Sequence, residues 1–327
     1  MSEEQRHTVS GEDDGQRLDR WLKKYVQGLP YALAMKLIRK GAIRVEGKRA
    51  KAETRLTQGQ TIRIPAFEVS GSDQKKSRRP ELTKADKAYI RDLVIFDDGD
   101  VLAINKPYDL PAQGGTGVTY SVDSYMPALA DDQGRTPRLV HRLDKQTSGL
   151  MLLARSPDAV RDLGTSFRDR EAKKLYLAVV APAPKEDTGT INAPVAKAAA
   201  PNKDKMKIDE DNGKPALTDF YVIDHVGKRA ALVAFIPRTG RTHQIRVHAA
   251  LVLGTPIIGD KRYGYQGEAL ADLELDKRLH LHSYYLHTPN PSGQGGLELT
   301  APVAADLSAT WSIFGLPLDI DAAQIVL

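Results

Sequence analysis

Residues able to do chemistry gather at three places in this chain. In Leu139-Val-His-Arg-Leu-Asp-Lys-Gln-Thr-Ser-Gly-Leu-Met-Leu-Leu-Ala154, the charged cluster His141, Arg142, Asp144 and Lys145 directly precedes an unbroken apolar run. Burying that run as a strand draws the charges inward, where an unpaired carboxylate is costly. Thr147, Ser148 and Gly149 make a tight, hydroxyl-lined start to the strand, a combination that an ordinary surface loop does not need. On residue types alone, a catalytic carboxylate at Asp144 and a purely structural loop are both open. The other two places are Lys174-Leu175-Tyr176 and Gly240-Arg-Thr-His-Gln-Ile-Arg-Val-His248. Taken by itself, Tyr176 reads as a strand tyrosine packed in a core.

The histidines offer a rival chemistry, that of a metal-dependent hydrolase. His141, His243, His248, His280 and His282, with Asp144 or Asp260, are residue types that bind metal, and His280 and His282 would share one face of a strand. Their spacing matches no ligand signature, so no metal site is expected. The chain has no cysteine, which excludes disulfides, thiolate metal sites, iron–sulfur clusters and a thiol nucleophile. Neither a Gly-x-Gly-x-x-Gly nor a phosphate-binding loop is present, so no nucleotide cofactor is expected.

The charge is unevenly spread. Residues 15–65 hold thirteen basic residues against Asp19, Glu46 and Glu53, a net +10 in a chain whose total is +5. A polyanion-binding N-terminal module is the economical reading; a basic solvated surface is the alternative. With 41% hydrophobic and 27% charged residues over 327 positions, the chain has the composition of a soluble protein of about two domains. No apolar run approaches membrane-spanning length, so no membrane association is expected. The start, MSEEQRHTVSGEDDGQ, has no secretory or transit character, which makes the cytoplasm the expected location.

The elements that must hold these residues follow from periodicity. Residues 1–14 are expected to be a disordered tail. Leu18, Trp21, Leu22 and Tyr25 fall on one helical face; Leu33, Leu37 and Ile38 form a second, ending at Gly41. Two short strands around Gly47 and one at TIRIP complete an ααββ unit over 15–65. Residues 66–90 read as a polar linker, in which Lys75, Lys76, Arg78 and Arg79 either touch RNA or are solvated. From residue 91 to 327 the texture is α+β. Strands are expected at 93–96 and 101–107, at 150–155, at 175–181, at 218–223 and at 231–236, with a helix capped by Ser156. The order is mixed, which argues against a doubly wound dinucleotide fold.

Two resemblances sharpen this. RLDRWL…LIRKGAIRVEGKRA…LTQGQTIRIP resembles the S4 RNA-binding domain, departing from it at Pro30-Tyr31-Ala32, where a Ser-Arg pair commonly opens the second helix. The resemblance implies RNA contacts from Arg17, Arg20, Lys36, Arg39, Lys40, Arg44, Lys48 and Arg49. HRLDKQTSGLMLLA resembles the active-site motif of the pseudouridine synthase family that modifies ribosomal and transfer RNA, in the branch of the large-subunit enzymes of C and D type. Lys174-Leu175-Tyr176, Gly240–His248, Gly259-Asp-Lys-Arg-Tyr-Gly264, Arg278–His282 and Ala301-Pro302 follow in that family's order. Between the third and fourth, Ala249 to Pro256 is one residue longer than usual, with Thr255 where His is common.

The family resemblance implies a mixed, mainly antiparallel sheet in the catalytic domain and a uridine-isomerising activity on RNA, most naturally of the large ribosomal subunit. It implies Asp144 as the essential carboxylate, Tyr176 stacking on the flipped base, and Arg246 paired with Asp144. Arg142 would displace the target base, with His141, Thr147, Lys174 and Ile245 around the substrate. C-type specificity is preferred on Gly15-Gln-Arg-Leu-Asp and Lys48-Arg49-Ala-Lys51. Isomerisation needs no redox partner, group donor or energy source, consistent with the lack of cofactor motifs. A non-catalytic assembly factor carrying the same RNA-binding module is the non-enzymatic alternative.

Overall fold

The computed structural model describes residues 4–67, 81–115, 118–201, 205–265, 270, 272–273, 275, 277–291, 293 and 295–326. These form two compact units, Met1–Arg79 and Pro80–Leu327.

The first unit consists of β1 (Gln5–Thr8), α1 (Leu18–Tyr25), α2 (Tyr31–Lys40), β2 (Arg44–Val45), β3 (Lys48–Arg49) and β4 (Thr61–Ile64), with sheet order β1-β4-β2-β3. Leu18, Trp21 and Leu22 of α1 are buried against Ile43, Leu56, Ile62 and Ile64. Tyr25 instead tilts over Trp21 with ring centroids 5.0 Å apart and stays partly exposed. The buried stripe of α2 is centred on Ala34 and Ile38, with Leu33 and Leu37 half-buried. At its end Gly41 adopts φ 70°, and the Arg49 side chain fills the place a β-carbon would need.

Two expectations about this region need correction. Of the disordered tail expected over 1–14, the described part, residues 4–14, is ordered: Gln5–Thr8 pairs antiparallel with β4, Val9 enters the core, and Asp13 is buried, taking bonds from Ser10 Oγ (2.7 Å) and Lys24 Nζ (2.9 Å). The segment's polarity conceals a strand whose stability comes from the open edge of β4, not from its own apolar content. Nor do residues 66–90 form a linker throughout. Lys75, Lys76, Arg78 and Arg79 lie outside the described residues, but α3 (Lys84–Asp92) occupies the last part. A reciprocal cap between Thr83 and Asp86 starts that helix, and fully buried Ile90 anchors it.

The second unit continues with β5 (Val94–Asp97), β6 (Val101–Lys106), α4 (Val122–Tyr125), β7 (Arg138–Leu139), β8 (Ser148–Ala154), α5 (Pro157–Asp169), β9 (Lys173–Val180), β10 (Thr188–Asn192), β11 (Val195–Lys197), β12 (Met206–Ile208), β13 (Leu217–Val226), β14 (Ala230–Pro237), α6 (Gln244–Val247), β15 (Leu281–Pro289), β16 (Gly296–Thr300), α7 (Ala305–Ile313) and α8 (Ala322–Val326). One ten-stranded sheet runs β10-β13-β14-β9-β15-β8-β6-β5, with β16 on β15 and β7 on β8. Its pairs are antiparallel except β15 with β8, giving the mixed, mainly antiparallel sheet expected. Every residue of β8 is buried, as its apolar run requires, and Ser156 caps α5 by accepting from the Ala159 amide.

Candidate active site

The register of β15 brings the chemistry-bearing segments together. Ser283 pairs with Gly149 of β8 on one side and with Tyr176 of β9 on the other. Gly149 has φ 106°, and a β-carbon there would collide with the Ser283 backbone, so glycine is needed where these strands approach. Ser148, fully buried, accepts from Arg278 Nη2 at 2.7 Å and lies 2.9 Å from His282 Nδ1. Thr-Ser-Gly therefore seats the loop before it on the central strands.

Within that loop the side chains alternate in exposure. Arg142 is exposed, Leu143 buried and Asp144 half-buried, with the Thr147 amide closing a turn on the Asp144 carbonyl at 3.1 Å. His141 Nε2 accepts from the Leu152 amide at 2.8 Å, so its proton is on Nδ1, and its ring stacks on Phe167 at 4.3 Å. Burial, then the Lys174 charge, pushes this imidazole down to about 3. His141 thus ties the loop to β8 as a neutral ring. Lys106, fully buried at the end of β6, supports the loop from below: its Nζ donates to the carbonyls of Pro107 (2.8 Å), Leu110 (2.9 Å) and Lys145 (3.3 Å). Burial and, secondarily, Arg278 bring its ammonium down to about 7, against the pull of Asp144 and Asp109.

Strand alternation puts Lys174 and Tyr176 on one face of β9. Burial, opposed by the Ser283 hydroxyl and reinforced by the Asp144 charge, pushes the Tyr176 phenol up to about 12, so it remains protonated. Tyr176 pairs with Phe235 of β14, and the chain leaving β14 leads into α6. Gln244 clamps the start of α6. Its Nε2 donates to Leu217 O (3.0 Å) and Thr218 Oγ1 (2.8 Å), and its Oε1 accepts from Thr239 (2.7 Å) and the Arg241 amide (3.0 Å). Beyond it, residues 248–252 form a π-helical turn that leaves Leu251 and Val252 exposed.

Arg246 requires a correction. Its ion pair is with Asp260, not Asp144: Nε and Nη2 meet the two carboxylate oxygens at 2.7 and 2.6 Å, both side chains being almost wholly buried. Asp260 also accepts the amides of Arg262 (3.1 Å) and Tyr263 (3.3 Å), so the turn after Gly259 presents a carboxylate already shaped for the guanidinium fork. The Asp144 charge still favours the Arg246 cation, but the residue nearest Asp144 in ion-pair geometry is His243, Nε2 to Oδ2 3.7 Å.

All eight residues expected around the substrate (His141, Arg142, Asp144, Thr147, Lys174, Tyr176, Ile245 and Arg246) line one cavity of about 440 Å³. Arg168 and Arg241 join them, and Asp144 is the sole carboxylate among the described lining residues. Sequence reasoning missed Lys106, Arg168, Arg241 and the partnership of Asp260. It considered His243 only as a metal ligand, although Gly-Asp-x-x-Tyr-Gly already contained Tyr263, which holds it. The histidines do not converge: among the described residues no three of His, Asp and Glu form a metal-ligating group. His248 bridges Thr218 Oγ1 (2.9 Å) and Ala193 O (3.0 Å).

In the first unit Arg20, Lys36, Arg39, Lys40, Arg44, Lys48 and Arg49 are exposed, whereas Arg17 is half-buried and held by Asp19 at 3.0 and 2.7 Å. Among the described residues no helix is long and apolar enough to cross a membrane.

The chain that carries this cavity resembles known proteins in sequence and in fold. Residues 100–251 match the family RNA pseudouridylate synthase. The ribosomal large subunit pseudouridine synthase C of Vibrio parahaemolyticus is 35% identical over 299 residues, 90% of this chain and 91% of that protein. The Escherichia coli protein of the same name is 33% identical over 305 residues, 90% and 92% respectively. Among solved structures, human RNA pseudouridylate synthase domain containing 4 superposes with a TM-score of 0.60 at 26% identity, over 72% of this chain and 99% of that one. The chain belongs to the RNA pseudouridylate synthase family. It is accordingly an isomerase, a pseudouridine synthase.

Proposed function

We propose that this enzyme converts uridine to pseudouridine in large-subunit ribosomal RNA, with Asp144 as its catalytic carboxylate. The observation that carries the reading is the cavity in which Asp144, alone among carboxylates of the described lining, faces Arg142, Arg168, Lys174, Arg241 and Arg246. Such a pocket attracts an RNA strand and reserves its one anion for the reacting nucleoside. The relatives' names supply the large ribosomal subunit, and their C type agrees with the Gly15–Asp19 and Lys48–Lys51 segments.

The reaction breaks the bond from uracil N1 to ribose C1′ and joins C1′ to C5; C5 gives up its hydrogen and N1 gains a proton. Asp144 attacks the nucleoside or takes the proton, and the enclosed cavity retains the detached base. The uridine must first leave its stack, at roughly a few kcal/mol. Exposed Arg142 fills the vacated place, and Tyr176, a protonated phenol, stacks on the extruded ring. Arg246, locked by Asp260, contributes positive potential at a fixed place. The first unit acts as an S4-like module whose exposed basic residues contact phosphates without reading sequence.

Mapping pseudouridine in ribosomal RNA from cells lacking the protein, then restoring wild type or Asp144→Asn, tests this. Wild type should restore the lost sites and Asp144→Asn none. Restoration of every site by Asp144→Asn would remove Asp144 from the mechanism.

A further inference from the structure

His243 has no task in the reading above, yet the pocket wall is shaped around it. Its backbone is left-handed, φ 54° and ψ 19°, at the start of α6, a conformation that a side-chain-bearing residue keeps only when its surroundings enforce it. The ring is held at one nitrogen and faces Asp144 with the other. Nδ1 lies 2.7 Å from the Tyr263 hydroxyl, and Nε2 lies 3.7 Å from Asp144 Oδ2. Tyr263 crosses the imidazole edge-on at 5.6 Å and carries the Arg246 guanidinium over its own ring at 5.2 Å.

These contacts select one tautomer. The Tyr263 oxygen already accepts from the Met206 amide at 2.9 Å, so its hydrogen is best used toward His243 Nδ1. An accepting Nδ1 leaves the imidazole proton on Nε2, directed at Asp144. The opposite tautomer would set a nitrogen lone pair against the carboxylate and leave the phenol hydrogen without an acceptor. Burial also holds the imidazole below its ordinary value, against Asp144 and with Arg246 and Arg262, so the ring is neutral near pH 7.

The geometry points to His243 as the positioning residue for the catalytic carboxylate: an Nε2–H donor to Asp144 Oδ2, with its tautomer set by Tyr263. The inference rests on the assignment of Asp144 above. A donor on Oδ2 stops rotation of the carboxylate and leaves Oδ1 for the reacting nucleoside. The 3.7 Å separation is about 0.7 Å beyond hydrogen-bond length. Contacts of this kind commonly tighten when substrate fills the site.

Two measurements on the full chain test this. In ¹⁵N-histidine-labelled protein, the His243 signal, assigned with His243→Gln, should report a protonated Nε2 and a bare Nδ1; the reverse pattern overturns the proposal. In turnover of large-subunit ribosomal RNA from the deletion strain, His243→Leu should lower kcat by about 10- to 100-fold, as loss of a charge-assisted donor implies. KM should stay within about twofold. His243→Gln, which keeps a donor, should recover most of the loss, and Tyr263→Phe should fall between. A His243→Leu enzyme with wild-type kcat, or a glutamine variant no better than leucine, refutes the positioning role. If wild type converts no uridine in this RNA, the functional reading fails instead, while the tautomer, read without substrate, still decides whether the donor exists.

Discussion

Replacing Asp260 by Asn should damage this enzyme more than its place outside the cavity lining suggests. Asp260 and Arg246 are 1% and 3% exposed and joined by two bonds of 2.6 and 2.7 Å. The amide retains one acceptor oxygen but turns an NH₂ group toward guanidinium donors. One bond is lost, and a cation is left in the interior without its neutralising partner. Breaking a buried pair from one side costs about 3–5 kcal/mol, most of it the exposed need of the remaining charge. Asp144 is the anion next available to Arg246, and its field already favours that cation. The guanidinium should therefore turn toward Asp144 and occupy an oxygen that the proposed reaction uses. Asp260→Asn should lose about 3 kcal/mol of stability, and its kcat should fall at saturating RNA.

The assay is a pair of double-mutant cycles by urea unfolding, using Arg246→Met with Asp260→Asn and Arg246→Met with Asp144→Asn. If Asp260 is the partner, the first cycle should couple by about 2 kcal/mol or more and the second by less than about 1 kcal/mol. Coupling that is larger for Asp144 would show that Arg246 belongs to Asp144 and would refute the assignment made from geometry.

Two buried cationic groups give predictions in pH. Lys106 falls to about 7 in the folded chain from an ordinary 10.5, so the unfolded chain binds the extra proton between those values and stability rises with pH across that window. Unfolding free energy of wild type should gain on Lys106→Met between pH 7 and 10; a flat difference would mean that the three carbonyls fully offset the burial. His141 has the matching behaviour at acid pH: with its folded value about 3 against 6.5, stability is lost as pH falls from 6.5 toward 3. His141→Gln should flatten that part of the acid-unfolding curve, and an unchanged slope would place the titrating group elsewhere.

What could be read from the residues depended on where each element's stability comes from. β8 and α5 were legible because an unbroken apolar run and a serine cap are local facts. β1 and α3 were not, because one relies on the free edge of β4 and the other on a two-residue cap and a single buried isoleucine. The same distinction governs the site. Most of the cavity's polar lining was legible from three motifs; Arg168, which lies outside them, and the way the residues partner were not. Lys106 carries no mark of burial, since a lysine at a strand end is ordinarily solvated, and only the carbonyls of Pro107, Leu110 and Lys145 make its position tenable. Arg246 met Asp260 because the turn after Gly259 offers a carboxylate already fixed by two amides, whereas Asp144 lies on a half-exposed loop. A guanidinium satisfied elsewhere leaves Asp144, the proposed catalytic carboxylate, free for substrate, and a neutral imidazole can orient it without neutralising its charge. The departure from the expected pairing thus resolves a difficulty in it: a carboxylate locked in a bidentate pair would have to break that pair before it could react.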